Sequence, residues 1–175
     1  DSARMADIAA SVVRAPDPVA NQLAELSGVN AIETRVSGIG LLDVAGKSDP
    51  VSARFVSLPP DRRPRVNDVL LRAGRWPDPT RDNEALINEA FAEANRLAPG
   101  MTLRALIYGR YRLLQIVGIA SSPEFVFAVA PGGMLPEPER FGVVWMNREA
   151  LGRAFDVDGA FNDVVIRAAP EAKVR

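Results

Sequence analysis

Residues 101–120 carry the pattern that most limits what this chain can become. Met101, Leu103, Ala105 and Ile107 alternate with Thr102, Arg104, Leu106 and Tyr108, and a turn at Gly109-Arg110 leads into Tyr111–Ala120. Alternation with period two marks extended chain, and two such runs around a short glycine turn read as a β-hairpin. Within the second run, Gln115-Ile116-Val117-Gly118-Ile119 reads as a strand buried on both faces. Any fold for this chain has to accommodate that hairpin.

The remaining segments are shorter. Met5, Ile8, Ala9, Val12 and Val13 are spaced by three and four, which predicts a helix over residues 3–13, stopped at Ala15-Pro16. Asp17 then reads as an N-cap with Pro18 in the first helical position, and Val19, Leu23 and Leu26 form an apolar stripe ending at Gly28. Residues 29–36 and 51–56 alternate as strands, with Ile32 and Thr34 on one side and Glu33 and Arg35 on the other. The segment 59–64 holds three prolines and reads as a surface loop. Ala85-Leu86-Ile87 is a short buried strand, and Asn88 is placed to cap a helix over 89–97. Phe125–Ala130 and Val143–Met146 are strand candidates, Asn147 reads as the cap of a helix over 148–155, and Asp163–Ala168 is the last strand. Strands and helices mix without regular βαβ alternation, which points to an α+β fold.

Composition removes several kinds of chemistry. The 175 residues suit one domain and contain no cysteine and no histidine. No Ser-His-Asp or Cys-His arrangement and no Cys/His zinc site can be assembled from them. The net charge of −1, with arginines and acids interspersed, gives no footprint for nucleic acid. No run of about 18 apolar residues is present. The chain opens on Asp1-Ser2, without Met or a basic-then-apolar leader, and so reads as an excised segment.

One ordered set of motifs resembles a known family. Leu71-Arg72-Ala73-Gly74-Arg75-Trp76-Pro77 precedes Asn83-Glu84-Ala85-Leu86-Ile87-Asn88, then come Leu97-Ala98-Pro99-Gly100-Met101-Thr102-Leu103 and Leu114-Gln115-Ile116-Val117-Gly118-Ile119. Order and spacing resemble the MacB-like periplasmic core domain of FtsX-type ABC permeases over about residues 71–120. The resemblance implies a domain outside the cytoplasmic membrane, in the periplasm or beyond the cell, between the first and second membrane helices of a permease. It implies a mixed-sheet, porter-like lobe built from both ends of the chain, with a smaller β-rich lobe inserted. On this sequence the whole of 1–175 is one extracytoplasmic domain, with lobes of about 1–65 with 121–175 and about 66–120. Gly74, Arg75, Asn83, Glu84, Pro99, Gly100 and Gly118 are then structural positions of the family motif. The partners implied are the flanking membrane helices, a separate ATP-binding subunit, and a periplasmic adaptor or lipid-like cargo. No cofactor, metal or catalytic residue is expected. The chain itself has no G-x-x-x-x-G-K-[S/T] loop.

Several other features have two readings. Phe125, Phe127, Met134 and Leu135 would present an apolar patch to a partner or cargo, or else fold back into the core. This stretch also supports the alternative of a soluble protein- or peptide-binding module unrelated to transport. Asp156, Asp158, Asn162 and Asp163 offer oxygens for calcium, but lack EF-hand spacing and suit an Asp-Gly turn. Gly38-Ile39-Gly40 hints at a dinucleotide loop without its third glycine, and a bulge or turn is the plainer reading. Glu84 with Glu89, or Asp78 with Asp82, would have to meet in a pocket to serve as a hydrolase dyad. Arg62, Arg63 and Arg65 form a small basic cluster on the proline loop.

Overall fold

A computed structural model describes residues 4–60 and 63–170. Its elements, in chain order, are β1 (Ile8–Pro16), α1 (Val19–Ala24), β2 (Val29–Arg35), β3 (Ser37–Asp43), β4 (Val51–Leu58), β5 (Leu70–Gly74), β6 (Glu84–Asn88), α2 (Glu89–Asn95), β7 (Thr102–Ile107), β8 (Arg110–Ser121), β9 (Phe141–Asn147), α3 (Arg148–Ala154) and β10 (Ala160–Ala168). The fold is α+β, and its larger sheet is mixed.

The strands form two sheets. A small antiparallel sheet has the order β1-β10-β2 and therefore brings the two ends of the described chain side by side. The other strands pair in the order β5-β8-β6-β9-β4-β3-β7, and β7 pairs back onto β8. That last pairing closes β8, β6, β9, β4, β3 and β7 into a six-stranded barrel, with β5 as a branch on β8. Of the span 1–65 grouped with 121–175, β3, β4 and β9 hydrogen-bond into this barrel.

The expected hairpin at 101–120 is β7 and β8, paired from Thr102↔Gln115 to Ile107↔Arg110. Its inward residues Leu103, Ala105, Ile107, Leu114 and Ile116 fill the barrel with Leu42, Phe55, Ile87, Val144 and Met146. Helices α2 and α3 directly follow β6 and β9, which run antiparallel, so they sit at opposite mouths of the barrel. Phe91 of α2 and Leu151 of α3 plug into this interior. Fully burying a side chain such as Phe91 contributes about 1.5–3 kcal/mol. A second cluster, with Val56, Leu86, Val117, Val143 and Trp145, packs on the outer wall of the barrel beneath Leu71, Trp76 and Phe125.

Four expectations are corrected. Residues 8–16 are strand β1, not part of a helix over 3–13 (residue 3 lies outside the described residues). β-Branched Ile8, Val12 and Val13 favour extended chain. A bulge between Ser11 and Ala15 breaks the strand period and mimics helical spacing. Residues 125–130 do not form a strand: Pro123–Phe125 is a single 3-10 turn followed by irregular chain. The Gly38-Ile39-Gly40 segment is strand β3, not a turn or a nucleotide loop; a Cβ at Gly38 would lie 2.3 Å from the Phe155 ring. The expected N-caps Asp17, Asn88 and Asn147 make no capping hydrogen bonds; their side chains bind elsewhere in the fold. Asn88 Oδ1 accepts from Val143 N–H at 2.8 Å, and Asn147 donates to the carbonyls of Asp78 and Arg81, both at 2.7 Å.

Candidate functional site

The motif residues of 71–120 gather where β8 changes partner. β8 pairs with β7 as far as Gln115, and from Gly118 onward the same edge pairs with β5. The handover falls at residues 116–117, where Ile116 N–H donates to Met101 O, Ile116 O accepts from Gly100 N–H, and Val117 O accepts from Arg75 N–H. Gly74 pairs with Gly118 in this tight space. Gly74 has φ +75°, and a Cβ there would lie 2.2 Å from Val117 O and 3.1 Å from the Pro99 ring. A Cβ on Gly118 would meet Arg75 O and the Leu86 side chain, both at 2.7 Å. Glycine is required on both strands by this approach.

Arg75 and Glu84 hold the loop that follows. The Glu84 carboxylate is buried and takes two hydrogen bonds from the Arg75 guanidinium, at 2.7 and 2.8 Å, and one from Asp78 N–H at 2.7 Å. The Arg75 hydrogen bonds outweigh burial and keep the Glu84 pKa below its ordinary value. The Asn83 side chain is exposed, and the main-chain carbonyl of Asn83 accepts from Gln115 N–H at 2.8 Å.

A polar joint connects the two sheets where one residue, Val36, separates β2 from β3. Arg35 on β2 is buried. Its guanidinium binds the Glu124 carboxylate through both oxygens at 2.7 and 2.8 Å, and Asp163 of β10 at 2.7 Å. Burial opposes its charge, but the hydrogen bonds and charges of Glu124, and then of Asp163, hold its pKa above the ordinary arginine value. Asn162 donates to Ser37 O and accepts from Ser37 N–H. Ser57 Oγ accepts from Val36 N–H at 2.9 Å, and Arg148 reaches Thr34 O and the Asp17 carboxylate. Sequence reading placed Glu33 and Arg35 on the polar side of β2, and it is this side that turns inward. Nothing local signals the triad, whose members lie 89 and 128 residues from Arg35.

Glu124 opens the segment that joins β8 to β9. Phe125 turns in and meets Trp145 edge-to-face at 6.1 Å. Phe127 (78% exposed), Met134 (94%) and Leu135 (74%) face outward. Leu135 also lines an open groove of about 510 Å3 shared with residues 46–52 and Arg140. The four residues therefore divide between the core and the surface.

The acidic residues are already engaged. Asp78 accepts from the Thr80 hydroxyl and N–H, which keep its pKa below the usual carboxylate value. Asp82 pairs with Arg153 at 2.6 Å, and Glu89 is half-buried, 3.8 Å from Arg72. Neither proposed pair shares a proton in a pocket. Asn162 and Asp163 are committed to the joint, and among the described residues no group of three or more acidic side chains is arranged to hold a metal ion. In the basic cluster, Arg63 lies over the Trp76 ring and Arg65 N–H donates to Glu33; Arg62 lies outside the described residues. No helix among the described residues is long and apolar enough to cross a membrane.

No family model matches the sequence, and no curated protein matches it. Solved structures match the fold. One is the extracellular domain of the noncanonic ABC-type transporter YknZ from Gram-positive bacteria, with TM-score 0.58 and 11% identity over 92% of this chain and 76% of that one. Another is the periplasmic region of MacB from Actinobacillus actinomycetemcomitans, with TM-score 0.52 and 12% identity over 89% of this chain and 65% of that one. The chain has the fold of a MacB-like periplasmic domain. Within this MacB-like fold, the motif quoted from residues 71–120 lies around the handover on β8.

Proposed function

We propose that this chain is the extracytoplasmic domain of an ABC-transporter permease, coupling ATP-driven movement of membrane helices to cargo handling or extrusion outside the membrane. The observation that carries the reading is the antiparallel pairing of β1 with β10, from Ile8↔Ile166 to Pro16↔Ala160, in a fold shared with two such domains. The start of β1 and the end of the central strand β10 lie side by side at one end of the small sheet, which suits a domain inserted between two neighbouring membrane helices. Displacement of those helices would load the small sheet first and reach the barrel through the Arg35 joint. ATP would be hydrolysed by a separate subunit, and the exposed Phe127, Met134 and Leu135 would meet an adaptor or a lipid-like cargo. The same three side chains support the second reading, a peptide-binding module with no membrane attachment.

The test is topological. Val13, 94% exposed on β1, is replaced by cysteine in the full-length gene product, stripped of any other cysteine. A membrane-impermeant maleimide is expected to label it in cells whose inner membrane is intact, and the product should need detergent for extraction. Labelling only after lysis, or extraction by buffer alone, overturns the permease reading.

A further inference from the structure

The barrel has one covered wall and one bare wall. Val56, Leu86, Val117, Val143 and Trp145 lie beneath Leu71, Trp76 and Phe125. On the wall made by β3, β7 and the first half of β8, the outward side chains face solvent. Strand register fixes their order. Leu41, Leu106 and Tyr111 lie opposite one another across the three strands, and Asp43, Arg104 and Leu113 form the next row. Directly opposite residues of antiparallel strands project from the same face, so these rows are contiguous. Tyr111 is 60% exposed and Leu113 64%, and Ile39 continues the apolar band along β3. Arg104 lies 3.9 Å over the Tyr111 ring and 3.6 Å from the Asp43 carboxylate, and both charged side chains remain half exposed. A contiguous exposed band of tyrosine, leucine and arginine has the composition of an interface core.

We infer that this wall packs against the same wall of a second copy of the chain, about a two-fold axis running along the strands between β3 and β7. The charges select the occupant. That axis sets Arg104 opposite Asp43 of the second copy and Leu106 opposite its Leu41, each twice. The two in-sheet pairs then join in a ring of four alternating charges. A partner of one sign would instead leave Asp43 or Arg104 facing its own charge. Tyr111 and Leu113 fall over β4 of the second copy, where Ser52 and Arg54 share the outward face with Leu41 and Ile39. Face-to-face sheets keep their strand directions within about 30° of each other, which an axis along the strands provides. The patch spans few strands, so the dimer is weak beside standard interfaces that bury about 800 Å2 on each partner. The inference stands apart from the transporter reading, because the wall belongs to the domain whatever the domain is attached to.

Sedimentation velocity on the 175-residue chain tests it, at concentrations rising to about 1 mM, where weak interfaces associate. The chain is expected to pass from monomer to dimer, and Tyr111→Glu should leave it monomeric. Asp43→Arg places like charges opposite each other and should weaken association at least about tenfold, as should Arg104→Asp. A mixture of these two single variants pairs every charge across the interface and should form a heterodimer that neither forms alone. Only contact between copies gives that result, since mixing leaves the pairs within each chain unchanged. Val13→Glu, on exposed β1, should not alter association. A chain that stays monomeric throughout, a dimer that survives Tyr111→Glu, or a mixture that fails to associate overturns the inference.

Discussion

Every residue of β9, in the barrel, is buried, and no residue of β1, in the terminal sheet, is. The barrel closes its hydrogen-bond ladder on itself and fills its interior with side chains from six strands and two helices. The terminal sheet buries no residue of α1, and it joins the barrel through a charged triad and hydrogen bonds between side chains and backbone. Packing is short-ranged and volume-sensitive, so the barrel responds steeply to shape. The terminal sheet, with less buried around it, is therefore expected to open before the barrel does.

The largest break should come from the strand handover. Gly74→Val puts side-chain atoms where the Val117 carbonyl stands, at a φ that valine disfavours. It should cost about 4 kcal/mol in urea unfolding, combining overpacking with backbone strain. Arg35→Met should come next. It strands Glu124 and Asp163 without their cation, and because Glu124 keeps some solvent contact the loss should be about 2–3 kcal/mol. Hydrogen exchange should then quicken in β10 and stay slow in β9. Equal acceleration in both would mean that the two regions unfold as one and would erase the contrast.

Acid should act on the barrel side through Glu84. Its folded pKa is lowered, so its contribution is fully present above the ordinary glutamate value of 4.5 and is lost as pH falls below that value through the folded one. Thermal unfolding from pH 6 to pH 2 should show Tm dropping in this acidic range. Arg75→Gln should shrink the drop, because it lets the folded pKa of Glu84 return toward the ordinary value. The smallest effect belongs to β1: Val13→Ala should change stability by less than about 0.5 kcal/mol, because the side chain touches little that unfolding would expose.

The parts of the fold that could be read from sequence follow the same division. Strands with one covered face, such as β4, β7 and the first half of β8, keep their alternation and were readable. β1 covers neither face and carries a bulge, so its apolar residues obey no strand period and imitate a helix. β3 was hidden by Gly38 and Gly40, which look like turn residues yet make room for the Phe155 and Phe55 rings. Closure of the barrel depends on β7 meeting β3 and β8 together, a pairing that no local pattern encodes. The motif at Gly74, Arg75, Glu84, Pro99, Gly100 and Gly118 could be read as a string, but its meeting point at the β8 handover could not. Asp17, Asn88 and Asn147 have cap-forming side chains, and tertiary partners out of sight of the sequence took them instead.

The pairing of β1 with β10 also decides how the molecule yields under tension. Tension that separates residues 7 and 169 acts at the Ile8↔Ile166 end of the ladder, across the strands and not along them. The rungs then open one after another, as a zipper does, and each bears the whole load alone. A ladder loaded along its length would share the load among all its rungs. The terminal sheet is therefore expected to peel at a lower force than the same ladder loaded along its strands, with the barrel beyond Val36 carrying no load until those rungs have opened.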